Sequence, residues 1–169
     1  FEEEDFVMNT IKWPGQQTLQ AWRHDFHRHP ETAYQEHRTS ARVTQLLQGF
    51  GLEVHTGLAG TGVVAVLRGN RGDGPSIGLR ADMDALHVQE LNTCEHKSVN
   101  DGRMHACGHD GHTTMLLGAA QALASAPDFA GTVHFIFQPA EENEGGARTM
   151  IEQGLFERFP MDAVYSMHN

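Results

Sequence analysis

The chain has 169 residues, with 22 acidic against 12 Lys and Arg and a formal net charge of -10. That length suits one domain with a sizeable core, and 39% hydrophobic with 20% charged residues reads as soluble and globular. The charge argues against a nucleic-acid backbone as partner, no apolar run is long enough to span a bilayer, and two cysteines are too few for a disulfide scaffold and point to a reducing, cytoplasmic setting.

Residues 1–15 read as a lead-in closed by Pro14-Gly15; their acidic start lacks the basic-then-apolar order of a signal peptide. Leu19, Trp22 and Phe26 recur at helical spacing and predict a helix over 16–28. His29-Pro30 stops it, because the residue before proline is pushed out of helical geometry. His24, His27 and His29 read as a solvated helix end near its negative pole rather than as a metal cluster. A second helix is expected over 36–48, with Ala41, Leu46 and Leu47 inward and the glycines at 49 and 51 as its cap.

Strands are expected at 52–55, 61–67 and 76–81. The last two are joined by Arg68-Gly69-Asn70-Arg71-Gly72-Asp73-Gly74, which reads as a hairpin-type loop. The third strand ends in Asp82-Met83-Asp84, two acids at i and i+2 that share a side. Residues 86–101 are polar and irregular, and Cys94 and His96 read as loop residues.

His105-Ala106-Cys107-Gly108-His109-Asp110 follows, with two soft metal ligands, Cys107 and His109, one residue apart. Met115, Leu116, Ala119, Ala120 and Leu123 then repeat at helix spacing to about Ser125. Gly108 allows a sharp turn between the ligands, and the positive end of the helix is expected to favour the Cys107 thiolate. Residues 132–137 form an apolar, central strand in which His134 reads as a packed or hydrogen-bonded residue. Gln138-Pro139-Ala140-Glu141-Glu142 follows it. A helix over 146–153 has Met150 and Ile151 inward and Gly154 at its end. A last strand over 162–167 runs into His168-Asn169.

Strands alternate with helices, which predicts an α/β sandwich with a mixed, mainly parallel sheet. Ligands collect beyond the carboxyl ends of the strands in such sheets. Asp82 and Asp84, Glu141 and Glu142, and His168 each follow a strand, and the Cys107-His109 loop opens a helix that can face the same rim. Thiolate, imidazole and carboxylate together suit Zn, Mn, Ni or Co better than Ca or Mg. One catalytic zinc keeps an open position and would not use all these donors; a pair of metals would. Adjacent Glu141 and Glu142 divide naturally into one ligand and one general base, a set of parts for hydrolysing an amide or related acyl bond.

The chain resembles the metal-dependent amidohydrolases that include hippurate hydrolase, indole-acetyl-amino-acid hydrolases and bacterial N-acyl-amino-acid amidohydrolases, within the aminoacylase and carboxypeptidase-like metallopeptidase group. The matching stretches are His29-Pro30-Glu31, Leu79-Arg80-Ala81-Asp82-Met83-Asp84-Ala85-Leu86, Met104-His105-Ala106-Cys107-Gly108-His109-Asp110-Gly111-His112, Gln138-Pro139-Ala140-Glu141-Glu142, Gly145-Gly146-Ala147 and Met167-His168-Asn169. They stand in the family's order. The resemblance implies a three-layer, zinc-exopeptidase-like sandwich and hydrolysis of N-acyl amino acids. It implies that Cys107, His109, Glu142 and His168 bind two metals with Cys107 as bridge, and that Glu141 is the base. Asp84 falls where the group has an acid that orients a ligand, and the role of Asp82 stays open. Family chains are more than twice as long and act as dimers or larger homo-oligomers; a dimerisation domain and a further ligand His follow the His168 region. Residues 16–169 are therefore expected to be the N-terminal portion of a catalytic domain. Such a piece is expected to have an incomplete metal site and little activity alone, or to serve only as a metal-binding or partner-binding fragment.

Overall fold

Apolar residues on both faces of one strand fix the centre of the fold. In β4 (Thr132–Gln138), Val133, Phe135 and Phe137 point one way and Ile136 points the other, and all are buried. The computed structural model describes residues 11–142 and 144–168; most of the expected lead-in, and Asn169, lie outside them. Among the described residues, β1 (Glu53–Leu58), β2 (Gly62–Arg68), β3 (Ser76–Asp82), β4 and β5 (Ala163–Ser166) form one sheet in the order β1-β2-β4-β3-β5. β1 and β4 each pair antiparallel with β2, while β4 and β5 each pair parallel with β3. The sheet is mixed as expected, with as many antiparallel pairings as parallel ones.

Helices cover both faces, giving three layers. On one side lie α1 (Gln16–Arg28), α2 (His37–Gly49) and α3 (His109–Ser125), whose Trp22, Phe26, Val43, Leu47 and Leu117 join Val63, Ala65, Phe135 and Phe137. On the other lie the short α4 (Gly146–Glu152) and α5 (Leu155–Arg158), whose Met150 and Leu155 join Val64, Val66 and Ile136. Gly118 lets α1 approach α3 closely: a Cβ there would stand 3.0 Å from Leu19 Cδ2.

Several local expectations shift. In α2, Leu47 faces inward as expected, but Val43 is buried with it while Ala41 is exposed. Met115 and Ile151, expected inward, are 46% exposed. α3 is buried on nearly all sides, so a single apolar stripe does not mark its inner face. The loop after β2 is not a hairpin, because β4 lies between β2 and β3. Its glycines serve a close backbone approach to the loop before β4. Gly69 N–H donates to Gly131 O at 2.9 Å, and a Cβ on Gly69 would fall 1.9 Å from Phe129 O. His134, at 5% exposure, sits 3.1 Å from Ser76 Oγ, in keeping with a packed, hydrogen-bonded role.

Phe135 is fully buried at the centre of this core. Phe135→Ala is expected to destabilise the chain by about 3–5 kcal/mol, read as a lower urea midpoint with unchanged slope.

Candidate metal centre

Three β-strands and one helix converge at the carboxyl rim of the sheet. β3 delivers Asp82 at its last position and Asp84 just beyond, and both are buried. β4 delivers Glu141 and Glu142 through a tight turn. Gly108, at φ 86°, is the N-cap of α3 and puts Cys107 before the helix and His109 in its first turn. His168 follows β5.

Asp84 holds this rim together. Its Oδ1 accepts from Glu141 N–H and its Oδ2 from Glu142 N–H, both at 2.9 Å. Oδ1 also lies 3.3 Å from His109 Nδ1. One carboxylate therefore sets both glutamates and the back of the imidazole.

Asp82 is anchored by its other neighbours. Oδ1 stands 2.7 Å from His112 Nδ1, Oδ2 accepts from Arg80 at 3.0 Å, and its carbonyl accepts from Thr113 Oγ1 at 2.8 Å. Its Oδ2 still lies 3.7 Å from His109 Nε2.

His109 is the focus. It is fully buried, and neither ring nitrogen has an aligned hydrogen-bond partner. Around Nε2 lie Asp82 Oδ2 at 3.7 Å, Glu142 Oε1 at 3.8 Å and Glu141 Oε2 at 3.9 Å. Cys107 Sγ is 3.7 Å from His168 Nε2. Donor atoms of Cys107, His109 and His168 lie within 4.8 Å of one another, as do those of Asp82, His109, Glu141 and His168. The structure thus gathers all five residues singled out in the sequence, Cys107, His109, Glu141, Glu142 and His168, and adds Asp82 beside them. His112, one helical turn after His109, stands 2.7 Å from Asp82 Oδ1, and its i+3 spacing from His109 is the sequence signal for it.

The electrostatics fit a cation. Burial pushes the Cys107 thiol up to about 11, with Glu142, Glu141 and Asp82 adding to the rise. The expected thiolate-favouring effect of the helix start is therefore overcome in the metal-free chain. Burial works to lower the His109 pKa, but Asp84 and Asp82 outweigh it and the net direction is upward. A buried imidazole with no aligned hydrogen bond at either ring nitrogen, a thiol and three carboxylates in one cluster are of the kinds that ligate transition metals.

A second polar network supports the rim. His27 is not solvated: Nδ1 stands 2.9 Å from Asp110 Oδ2 and Nε2 stands 3.1 Å from Glu90 Oε1. The irregular 86–101 segment is thereby tied to α1, with Glu90 also accepting from Ser98 N–H at 2.6 Å. Cys94 and Cys107 are both free thiols.

Residues 78–169 match the profile of peptidase family M20/M25/M40, and this chain belongs to that family. It is 52% identical over 147 residues to the hippurate hydrolase of Campylobacter jejuni, covering 87% of this chain and 38% of that one. It is 45% identical over 150 residues to the N-acyl-L-amino acid amidohydrolase of Geobacillus stearothermophilus, covering 88% and 40%. The YXEP protein of Bacillus subtilis, described as a dinuclear metal-binding peptidase of the M20 family, superposes with a TM-score of 0.85 at 42% identity, covering 90% of this chain and 43% of that one. The chain thus spans about two fifths of the length of these relatives.

The Asp84 carboxyl is held below its usual 3.8; burial would raise it, but His109 and the amides of Glu142 and Glu141 outweigh that. The Asp110 carboxyl is lowered likewise, chiefly by His27 against burial. Each contributes stability that is present above pH 3.8 and is lost as pH falls through the lower folded value. Asp84→Asn puts an amide where two N–H groups need an acceptor. It is expected to cost about 1–3 kcal/mol at neutral pH and to flatten the acid limb of an unfolding titration.

Proposed function

We propose that residues 16–169 are the N-terminal portion of the catalytic domain of a metal-dependent amidohydrolase, with residues 1–15 as a lead-in. Cys107, His109, Glu142 and His168 would hold two divalent transition metal ions, Mn, Zn, Ni or Co. Glu141 is the general base. The substrates are N-acyl amino acids, and the longer protein works as a cytoplasmic homodimer or larger homo-oligomer. The observation that carries this reading is the buried His109 ring, backed by Asp84 on its Nδ1 side and faced by carboxylates around Nε2, with Cys107 and His168 beside it.

Bound, the ions supply polarisation of an acyl carbonyl and acidification of the attacking water. Glu141 is one-third exposed while its Oε2 reaches the cluster, so it faces both solvent and donors. Its carboxylate takes a proton from an entering water and passes it to the leaving nitrogen. Asp84 fixes base and ligand by their backbone amides, which keeps their carboxylates free to act. Asp82 holds His112 and restrains the rim.

The second reading, a metal-binding fragment without turnover, is favoured by the sheet edge. Beside His112, a groove of about 250 Å³ opens between α3 and β5, lined by Met115, Tyr165 and Met167. Val164 is 43%, Tyr165 59% and Met167 67% exposed on a chain that spans about two fifths of the length of its relatives.

In the longer protein, Glu141→Gln is expected to lower kcat by about 10²–10⁴-fold with metal content unchanged. Loss of metal in Glu141→Gln, or retained turnover, would exclude Glu141 as the base. The isolated 169-residue chain is expected to hydrolyse N-acyl amino acids little, and robust turnover by it would remove the case for an incomplete site.

A further inference from the structure

Among the described residues, the non-glycine residues with left-handed backbone are Tyr34 (φ 60°), Ala59 (φ 50°) and Ala140 (φ 53°). Each is tied to Glu36, by sequence or through a hydrogen bond. Tyr34 precedes Glu36 by two residues. Ala59 precedes Thr61 by two, and Thr61 Oγ1 donates to Glu36 Oε2 at 2.7 Å. Ala140 N–H itself donates to Glu36 Oε1 at 2.9 Å, from 104 residues further along the chain. Such conformations are costly and persist where the surroundings over-determine them.

Glu36 is fully buried and stands at the N-cap of α2, yet its side chain makes no capping bond there. Its carboxylate is turned instead into the turn that leads to Glu141 and Glu142. Three successive amides, those of Ala140, Glu141 and Glu142, thus end on two buried carboxylates, Glu36 and Asp84. Tyr34 secures the far end of the same loop. Its hydroxyl donates to Glu144 O at 2.9 Å and lies 3.0 Å from Thr149 Oγ1. The loop is closed on itself by Gly146 N–H donating to Ala140 O at 2.9 Å.

We propose that Tyr34 and Glu36 form a two-point positioning clamp, which fixes residues 140–142 and 144–146 and so aims the Glu141 and Glu142 carboxylates at His109. The inference rests on the metal-centre reading for its consequence, but not for its geometry. Neither clamp residue touches the donor cluster. The clamp needs an acceptor for Ala140 N–H and a polar partner for Thr61. A Gln at position 36 supplies both, because the Thr61 hydroxyl can turn from donor to acceptor. Burial also pushes the Glu36 carboxyl up, so a neutral replacement is well suited to the site.

The test reads backbone amide exchange in the metal-free chain and Co²⁺ titration by the thiolate-to-cobalt absorption band. Glu36→Ala is expected to speed exchange at residues 140–142 while leaving the β2 and β4 ladder protected. It is also expected to weaken Co²⁺ binding by about 10–100-fold. Glu36→Gln restores both, and Tyr34→Phe weakens Co²⁺ binding with faster exchange at 144–146. The clamp is overturned if exchange at 140–142 is unchanged in Glu36→Ala, or if it rises equally through the sheet as general destabilisation would cause. Should Glu36→Ala not fold, Tyr34→Phe decides: unchanged exchange at 144–146 overturns the clamp. Absence of Co²⁺ binding by the parent chain refutes the metal centre alone, because the exchange measurement still decides the clamp.

Discussion

One carboxylate sustains the functional rim. Asp84 is buried, and both its oxygens are committed to the amides of Glu141 and Glu142, with His109 at 3.3 Å. Burying a charge is costly unless it is paired and hydrogen-bonded, and here two amides and an imidazole perform that task. The result couples three chain segments far apart in sequence: the end of β3, the turn after β4 and the first turn of α3. Each of these segments lies at the carboxyl side of a parallel pair or the opening of a helix, where backbone groups run out of regular partners.

The rest of the rim concentrates negative charge. Asp82, Glu141 and Glu142 crowd a thiol and a buried imidazole, and the protein answers this with few cations of its own. Arg80 reaches Asp82, while Cys107 is driven toward its protonated form. A divalent ion reverses that balance, since it favours the thiolate and offsets the carboxylates at once. The same crowding accounts for part of the chain's acidic excess, since several of its carboxylates lie at this rim.

Much of this was legible in the sequence where local chemistry dominates. The β-branched runs gave the strands, and Leu19, Trp22 and Phe26 gave α1, because spacing and burial agree there. The donors at Cys107, His109, Glu141, Glu142 and His168 were legible because each follows a strand or opens a helix. Less legible was anything decided by a distant partner. Ala41 and Val43 could not be sorted without knowing which side of α2 meets the sheet. The glycines at 69 and 72 were read as turn formers, whereas at Gly69 it is backbone crowding from the loop before β4 that excludes a side chain. His27 looked like a solvated helix end, since its carboxylate partners lie 63 and 83 residues away. Glu36 was silent for the same reason.

The β5 edge carries a physical liability. Beyond β5 the described chain offers no further strand, and the side chains at that border include Val164, Tyr165 and Met167. Unsatisfied ladder groups flanked by apolar side chains are a template for pairing with another chain. An unpaired edge of this kind favours pairing with another copy of the chain as concentration rises.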